Sequence, residues 1–211
     1  MKIHYFDAPG RPEASRMLLA HAKQPFENVN YTRETFGELK ASGKLEFGQV
    51  PALELPDGRL LVQSNAILRY LGRTLNYYPT EDAFTAWRID STLDSVEDFL
   101  TTYGKFSWES DPAIRAANKE KFLAWFPGWL AAIEKRLSSN SSQHHVVGDA
   151  QTIADFALFH VAVNIIFNEG NANYPDLAPL LAPFEGFRAY TNAQKEENKE
   201  YFERKAAAAK Q

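Results

Sequence analysis

The sequence predicts a mixed α/β unit over residues 1–76 followed by an all-helical unit over residues 77–211. Short strand-like and helix-like patterns alternate in the first part, whereas long helical periodicities replace them from Thr80 onward. The charge changes at nearly the same place, because residues 1–75 carry 10 Lys and Arg against 8 Asp and Glu, and the remainder carries 13 against 19. These changes predict two units with different roles.

The first unit opens with strand and helix signals in alternation. Residues 2–6 are compatible with a β-strand, Pro9-Gly10 breaks the chain, and residues 11–22 show the apolar spacing of a helix. Residues 26–31 alternate apolar and polar side chains and predict a second strand. The opening is therefore predicted to be a β-α-β segment.

A hairpin and a further helix complete this unit. The apolar runs 52–55 and 60–62 flank residues 56–59, Pro-Asp-Gly-Arg, and Asp-Gly between apolar runs is a strong hairpin signal. Ser64 stands at the N-cap position of a helix that includes residues 66–71. With one more helix in the polar link before the hairpin, the order β-α-β-α-β-β-α is the thioredoxin-like arrangement.

The second unit carries long helical periodicities. They predict helices over residues 83–103, 111–137 and 152–169, with shorter pieces near 175–181 and 184–195. Pro127-Gly128 is expected to kink or divide the second of these helices. Thr152 and Asp155 have the spacing of a capping box at the start of the third. An all-α fold is therefore predicted for this unit.

The composition excludes several classes of function. The chain has no cysteine, which removes disulfides, thiolate metal sites and cysteine nucleophiles, so any sulfur chemistry needs a sulfur brought by a substrate. A net charge of −4 gives no overall basic field for nucleic acid or anionic lipid. The most apolar stretch, residues 153–167, is too short and too polar to span a membrane. No secretory signal is visible, so a cytoplasmic location is expected.

Several motifs together resemble a cytosolic glutathione transferase. They are residues 5–13, YFDAPGRPE, residues 47–53, FGQVPAL, and residues 61–71, LVQSNAILRYL. The similarity continues through residues 87–90, WRID, and residues 148–155, GDAQTIAD, and so covers nearly the whole chain. Each motif is weak by itself, but the ordered set is strong. The match is closest to the sigma-like class, which includes glutathione-dependent prostaglandin D synthases.

The resemblance implies that the Tyr5 hydroxyl stabilises the glutathione thiolate by a hydrogen bond. A free thiol has a pKa of about 8.5, and lowering it by roughly 2 units requires about 2.7 kcal/mol. One hydroxyl hydrogen bond to the anion can supply much of this. Arg11 matches a family arginine whose positive field assists thiolate formation. From the residues alone, Tyr5 could instead be a half-buried strand aromatic and Arg11 an exposed helix residue, with Ser15 as the nearest alternative hydroxyl.

Glutathione is a tripeptide with two carboxylates and an ammonium, so its site needs anion donors and a carboxylate. The resemblance implies a cis Val50-Pro51 bond that exposes the Val50 backbone to the cysteinyl part of glutathione. It also implies that Gln63 and Ser64, at a helix start, bind the γ-glutamyl carboxylate. Ser64 could equally be an ordinary N-cap.

Two positions depart from sigma-like relatives. Phe36 stands where a tryptophan is usual, and it lacks the indole N–H that would bind the glycyl carboxylate. Gln49 stands where a lysine is common, so one positive charge is missing. Lys40 matches the neighbouring lysine and remains a partner for the glycyl carboxylate. We therefore expect weaker glutathione binding than in a typical relative.

Four carboxylates, Asp90, Asp94, Glu97 and Asp98, share roughly one helix face, which could simply be solvated. The resemblance implies a homodimer with this helix at its interface, in which Asp98 reaches the glutathione ammonium of the other subunit. Asp94, Glu97 and Asp98 also match a divalent-cation site described in prostaglandin D synthases, and carboxylate oxygens suit Mg²⁺ or Ca²⁺. The favoured expectation is nevertheless a site without metal.

Tyr103, Phe106 and Trp108 form an aromatic run near the predicted end of the first long helix. They could line a pocket for a hydrophobic electrophile or belong to the core. The function implied is detoxifying conjugation of glutathione, as co-substrate, to such electrophiles, with no tightly bound cofactor and no nucleic-acid or membrane partner. The alternatives are an isomerase of the prostaglandin D synthase type and a non-catalytic binding or structural relative.

Overall fold

The computed structural model describes residues 1–208. Two compact units are present: Met1–Pro79 together with the segment from Asn198, and Thr80–Glu197. Residues 209–211, at the end of the second predicted domain, lie outside the described residues. Within the described chain, no helix is both long and apolar enough to cross a membrane.

The first unit is built on a four-stranded mixed sheet. Its elements are β1 (Lys2–Phe6), α1 (Glu13–His21), β2 (Glu27–Tyr31), α2 (Arg33–Ala41), β3 (Ala52–Glu54), β4 (Leu60–Val62) and α3 (Ser64–Thr74). The strand order is β2-β1-β3-β4, with β1 parallel to β2, and β3 antiparallel to both β1 and β4. The predicted order β-α-β-α-β-β-α is confirmed.

Side-chain alternation along β1 gives the sheet two different faces. Ile3 and Tyr5 point to one face and are 2% and 8% exposed. Lys2 and His4 point to the other face. Two α1 side chains, Met17 and Leu18, are fully buried in the core of this unit, as the helical spacing of the sequence indicated.

The link between β3 and β4 is the turn that Asp57-Gly58 predicts. Gly58 has a φ of +84°, a conformation that costs little for a residue without Cβ. The Gly58 N–H donates to the Leu55 carbonyl at 2.9 Å, and the Leu55 N–H donates to the Arg59 carbonyl at 2.9 Å. The turn thereby fixes the register in which Leu53 pairs with Leu61.

The second unit is helical. Its helices are α4 (Ala83–Ser107), α5 (Pro112–Ser138), α6 (Ile153–Val161), α7 (Tyr174–Leu177) and α8 (Glu185–Glu197), with a π turn over Ala162–Ile166 and a 3₁₀ turn over Ala178–Leu180. The helix α9 (Lys199–Ala208) follows and belongs to the first unit. The all-α character predicted for the second unit is confirmed.

The structure decides two details of the predicted helices. Of the kink or division expected at Pro127, the division does not occur: helix α5 continues through Pro127, and the flanking Phe126 and Trp129 are buried with ring centroids 5.8 and 4.9 Å from that of Phe99. Aromatic packing on α4 thus outweighs the loss of one backbone hydrogen bond. The predicted helix over 152–169 instead ends as α6 and enters the π turn, where the Asn164 amide binds the His160 carbonyl and competes with the helical hydrogen-bond pattern.

Asp155 organises the start of α6. It is fully buried, and its carboxylate accepts hydrogen bonds from the backbone N–H groups of Val146 at 2.7 Å and Thr152 at 2.9 Å. The predicted pairing of Thr152 with Asp155 is therefore confirmed. The Tyr190 hydroxyl also donates to Asp155 at 3.2 Å. Burial raises the pKa of Asp155 to about 6, although the Val146 and Thr152 hydrogen bonds oppose that rise.

Helix α9 is fastened to α1 through Glu13, a carboxylate only 1% exposed. Glu13 accepts hydrogen bonds from the Tyr201 hydroxyl at 2.8 Å, the Lys205 ammonium at 2.5 Å and the Arg16 guanidinium at 3.0 Å. Burial alone would raise the pKa of Glu13, but Lys205, Tyr201 and Arg16 outweigh it and lower the pKa. The sequence analysis grouped the α9 residues with the second unit, and the structure places them on the first.

Replacing Lys205 by Met is expected to lower the free energy of unfolding by about 1–2 kcal/mol at pH 7, because Glu13 then stays buried with less compensation. The pKa of Glu13 is lower in the folded protein than in the unfolded chain. Its ionised carboxylate therefore stabilises the fold at pH values above the unfolded pKa, and this stabilisation is lost as the pH falls through the folded pKa. The difference between Lys205→Met and wild type should therefore shrink in acid. Urea unfolding at pH 7 and pH 3 measures it, with Arg204→Met, 67% exposed on the same helix, as control. An Arg204→Met loss as large as that of Lys205→Met would contradict this assignment.

Asp155→Ala is expected to cost about 3 kcal/mol or more, because it leaves the buried N–H groups of Val146 and Thr152 without an acceptor. The pKa of Asp155 is higher in the folded protein than in the unfolded chain. Its contribution to the free energy of unfolding is therefore greatest at pH values below the unfolded pKa of about 4, and it declines as the pH rises through the folded pKa of about 6. The penalty of the substitution should thus be larger at pH 5 than at pH 7.5. Chemical unfolding at both pH values tests this, with the exposed Asp149→Ala as control, and a penalty that grows with pH would refute it.

Candidate functional site

The strand register brings three chain segments to one edge of the sheet. His4 of β1 pairs with Ala52 of β3, and Ala52 pairs with Val62 of β4. Three neighbouring residues therefore meet at this edge. They are Tyr5, which follows His4, Pro51, which precedes Ala52, and Gln63, which follows Val62. Three motifs that are distant in sequence thus form one candidate site.

Tyr5 lies under the loop that joins β1 to α1. The backbone N–H of Arg11 forms a hydrogen bond with the Tyr5 hydroxyl. Gly10 lies directly over this hydroxyl, because a Cβ at position 10 would come within 3.0 Å of it, and its φ of +110° is itself unfavourable for other residues. A glycine at this position is what allows the loop to approach the phenol.

Burial raises the pKa of Tyr5, against the opposing effects of the Arg11 N–H and the positive charges of Arg11 and Arg16. The phenol consequently stays protonated at neutral pH. Because the Arg11 N–H occupies one lone pair of the oxygen, the Tyr5 proton is available for an anionic acceptor. The geometry suits a hydrogen-bond donor to a thiolate rather than a proton-abstracting base.

Arg16 is a buried charge beside Tyr5 that the sequence analysis did not identify. It is 6% exposed, its guanidinium carbon lies 6.0 Å from the centre of the Tyr5 ring, and it donates to the Ala8 carbonyl at 2.9 Å. It also donates to the Asn28 side chain at 2.8 Å and to Glu13. The sequence did contain an indication that Arg16 is paired, because Glu13 and Arg16 have opposite charges at i, i+3 directly before the apolar Met17, and the structure joins them in an ion pair.

Lys40, Gln49 and the cis peptide form the second part of the site. The side chain of Lys40, on α2, lies across Gly48, where a Cβ would come 3.2 Å from its Cε, and Gly48 has a φ of +60°. Gln49 follows and is exposed. The Val50-Pro51 bond is cis, as the sequence resemblance implies.

Gln63 and the start of α3 form the third part. Gln63 has φ 70° and ψ 111°, a strained conformation for a residue other than glycine, of the kind that costs about 1–3 kcal/mol and is found at functional sites. The side chain of Gln63, the N-cap residue of α3, makes no capping hydrogen bond. Ser64 therefore stands at the positive end of the helix dipole together with uncapped backbone N–H groups, an arrangement that favours a carboxylate.

Phe36 contacts Phe6, the residue that follows Tyr5. The ring centroid of Phe36 lies 5.3 Å from that of Phe6, which lies 5.5 Å from that of Tyr5. Phe36 is half-buried and has no polar atom on its side chain. It can therefore offer a ligand apolar contact but no hydrogen bond.

The predicted residues of the second unit are arranged differently. Asp94 and Asp98 are exposed on α4, and Glu97 accepts a hydrogen bond from the Thr101 hydroxyl at 3.0 Å. Over residues 1–208, no group of three or more His, Cys, Asp or Glu side chains is placed to hold a metal ion. The carboxylates named for Mg²⁺ or Ca²⁺ therefore do not converge.

The aromatic run at the end of α4 is split between core and surface. Tyr103 and Phe106 are 6% and 1% exposed, and the Asn173 amide donates to the Tyr103 hydroxyl at 2.9 Å. Their placement favours the core role left open by the sequence. Trp108 is 69% exposed, and its ring lies over Gly104. Within this trio it is the residue accessible to a ligand.

Family comparisons agree with this geometry. The model "Glutathione S-transferase, N-terminal domain" matches residues 1–73, and "Glutathione S-transferase, C-terminal domain" matches residues 97–203. The human "Glutathione S-transferase P" is 35% identical over 187 residues, which are 87% of this chain and 84% of that protein. The Capra hircus "Glutathione S-transferase P" is 39% identical over 160 residues, 74% of this chain and 72% of that protein.

Solved structures show the same architecture. The Pi-class glutathione S-transferase of Onchocerca volvulus superposes with a TM-score of 0.79 at 27% identity, covering 99% of this chain and 94% of that chain. The prostaglandin synthase D of Nilaparvata lugens superposes with a TM-score of 0.80, covering 96% of each chain, and at 23% identity it supports the fold alone. With both domain models matched and 35% identity to the human protein over 187 aligned residues, the chain belongs to the glutathione S-transferase family.

Proposed function

We propose that this glutathione S-transferase conjugates glutathione to hydrophobic electrophiles, with Tyr5 as the residue that stabilises the thiolate. The observation that carries the proposal is the protonated Tyr5 hydroxyl, buried at the sheet edge and bound by the Arg11 N–H. The charges of Arg11 and Arg16 add a positive potential at the same place. Together they lower the free energy of an anionic sulfur beside Tyr5.

Three parts of glutathione, the cysteinyl part and the two carboxylates, have proposed partners in the first unit. The backbone of Val50 pairs with the cysteinyl part, Gln63 and Ser64 at the start of α3 bind the γ-glutamyl carboxylate, and Lys40 binds the glycyl carboxylate. The supporting observations are the uncapped helix start and the position of Lys40 across Gly48. All of these residues lie in the first unit.

The proposal extends to a homodimer, in which the ammonium of glutathione meets Asp98 of the partner subunit. Support comes from the exposure of Asp98 on α4. For the electrophile, Trp108 offers an exposed aromatic surface, whereas Tyr103 and Phe106 are buried and contact each other. A cytoplasmic location remains a prediction.

Sigma-like class membership is likewise a proposal, supported by the motif around Tyr5 that the sequence analysis quotes. The curated relatives above carry the name Glutathione S-transferase P, so the P class is the competing assignment. Isomerase activity of the prostaglandin D synthase type stays a prediction, because the neighbour of that name shares the fold at 23% identity. The retained phenol of Tyr5 favours an enzyme over a non-catalytic relative.

Tyr5→Phe is expected to lower kcat/KM for glutathione and chlorodinitrobenzene by about 10- to 100-fold, because it removes about 1.4–2.7 kcal/mol of thiolate stabilisation. The pH–rate profile should shift upward, from an apparent pKa near about 6.5 toward the free thiol value of about 8.5. Tyr31→Phe, on the neighbouring strand β2, is the matched control and should change neither quantity. A profile that does not move in Tyr5→Phe would remove Tyr5 from this role.

Phe36→Trp combined with Gln49→Lys is expected to lower the glutathione Kd by about tenfold, because it adds an indole N–H and a positive charge near the glycyl carboxylate. The exposure of Gln49 limits its own share, so Phe36→Trp should account for most of the gain. Titration calorimetry measures the Kd of the double and both single variants, with Gln49→Glu as the opposite-charge control. An unchanged Kd in the double variant would show that these two departures do not weaken binding.

A further inference from the structure

A second row of polar side chains crosses the first unit on the sheet face opposite Tyr5. The His4 Nδ1 lies 2.8 Å from the Tyr31 hydroxyl, and the His4 Nε2 lies 3.0 Å from Oε2 of Glu54. The three residues come from β2, β1 and β3, which are adjacent strands. This row, Tyr31–His4–Glu54, has no part in the glutathione site proposed above.

The carboxylate decides the direction of both hydrogen bonds. An ionised carboxylate can only accept, so the His4 Nε2 must carry the hydrogen that points at Glu54. A neutral imidazole then has a lone pair on Nδ1, and the Tyr31 hydroxyl must donate to it. The hydrogen bond from His4 and the charge of Lys2 lower the pKa of Glu54, which agrees with a carboxylate at neutral pH.

The two oxygens of Glu54 are divided between two partners. Oε1 lies 3.6 Å from the Lys2 ammonium, and Oε2 is left to His4. His4 is 9% exposed and is further held by stacking on the Tyr31 ring, with centroids 5.9 Å apart. The imidazole is thus fixed in one orientation, whereas Tyr31 is partly exposed at the end of the row.

We propose that Tyr31 is a nucleophile toward activated acyl esters, with His4 as its base and Glu54 as the group that orients His4. A hydroxyl within hydrogen-bond reach of a base that a third group orients is the arrangement of activated nucleophiles. The reaction needs no glutathione, so the proposal is independent of the conjugation activity. It assigns the face opposite Tyr5 a covalent acyl-accepting site.

The step balances as a simple acyl transfer. The Tyr31 oxygen attacks the ester carbonyl and forms a new C–O bond, while its proton passes to the His4 Nδ1. The bond to the leaving group breaks, and with p-nitrophenyl acetate the leaving group departs as p-nitrophenolate. The imidazolium, stabilised by Glu54, then returns its proton to water, and the product is O-acetyl-Tyr31.

The test is site-resolved acetylation by p-nitrophenyl acetate, followed by peptide mass spectrometry over time. Tyr70, 37% exposed on α3, serves as an internal reference phenol. Tyr31 should be acetylated at least about tenfold faster than Tyr70, since a positioned general base accelerates proton transfer by that much or more. Equal rates at the two phenols would overturn the proposal.

Variants separate base assistance from simple accessibility. His4→Gln and Glu54→Gln should each bring the Tyr31 rate down to that of Tyr70. Lys2→Met should change the Tyr31 rate by less than about twofold, because the Lys2 ammonium lies 3.6 Å from Oε1 of Glu54, whereas His4 is held by Oε2.

Glutathione conjugation and thermal unfolding of each variant show whether the unit is intact. With an intact fold, a Tyr31 rate that does not change in both His4→Gln and Glu54→Gln overturns the proposal. Accumulation of acetyl-His4 in Tyr31→Phe at the wild-type rate also overturns it, because it would make the imidazole the nucleophile.

Discussion

The buried guanidinium of Arg16 is the constraint on which the candidate site depends. It joins the carbonyl of Ala8, the side chain of Asn28 and the carboxylate of Glu13, which lie on the loop after β1, on β2 and on α1. A buried charge without partners costs several kcal/mol, so all three acceptors must be in place in the folded state. The hydrogen bond to the Ala8 carbonyl thereby ties the loop that carries Gly10 over the Tyr5 hydroxyl to α1 and β2.

Helix α9 changes the charge of this cluster. Glu13 and Arg16 alone would be neutral, but Lys205 adds a second positive charge to the same carboxylate. These three side chains therefore carry a net positive charge, although Lys205 is 43% exposed and the charges that act on the Tyr5 phenol are those of Arg11 and Arg16. A positive potential beside Tyr5 favours an anionic sulfur over a neutral thiol. The C-terminal segment contributes by holding Glu13, the partner of Arg16, through a hydrogen bond between Tyr201 and Glu13 that spans 188 positions.

Local signals were readable from the sequence, and distant contacts were not. The alternation over residues 26–31 and the Asp57-Gly58 turn depend on neighbouring residues, so the element order of the first unit could be predicted from such signals. The partner of α9 depends on a contact across almost the whole chain, which no periodicity encodes. The same limit explains Tyr103, because helical spacing shows that a side chain faces an apolar surface but does not distinguish a core from a substrate pocket. It also explains Pro127, whose local propensity is overruled by aromatic packing.

The two faces of one sheet use the same functional group in opposite ways. The Tyr5 hydroxyl accepts a hydrogen bond from the Arg11 N–H, so its proton is left for an incoming anion. In the proposed acyl-accepting site the Tyr31 hydroxyl, 2.8 Å from His4 Nδ1, donates to the neutral imidazole, so its lone pairs are left for an incoming electrophile. The difference does not lie in the phenols, which have the same intrinsic pKa of about 10. It lies in the group that stands opposite each phenol. Tyr5 meets a hydrogen-bond donor, whereas Tyr31 meets an acceptor, His4, whose tautomer is fixed by Glu54. Chemical role on this sheet therefore follows from hydrogen-bond direction, and that direction follows from the alternation of side chains along β1.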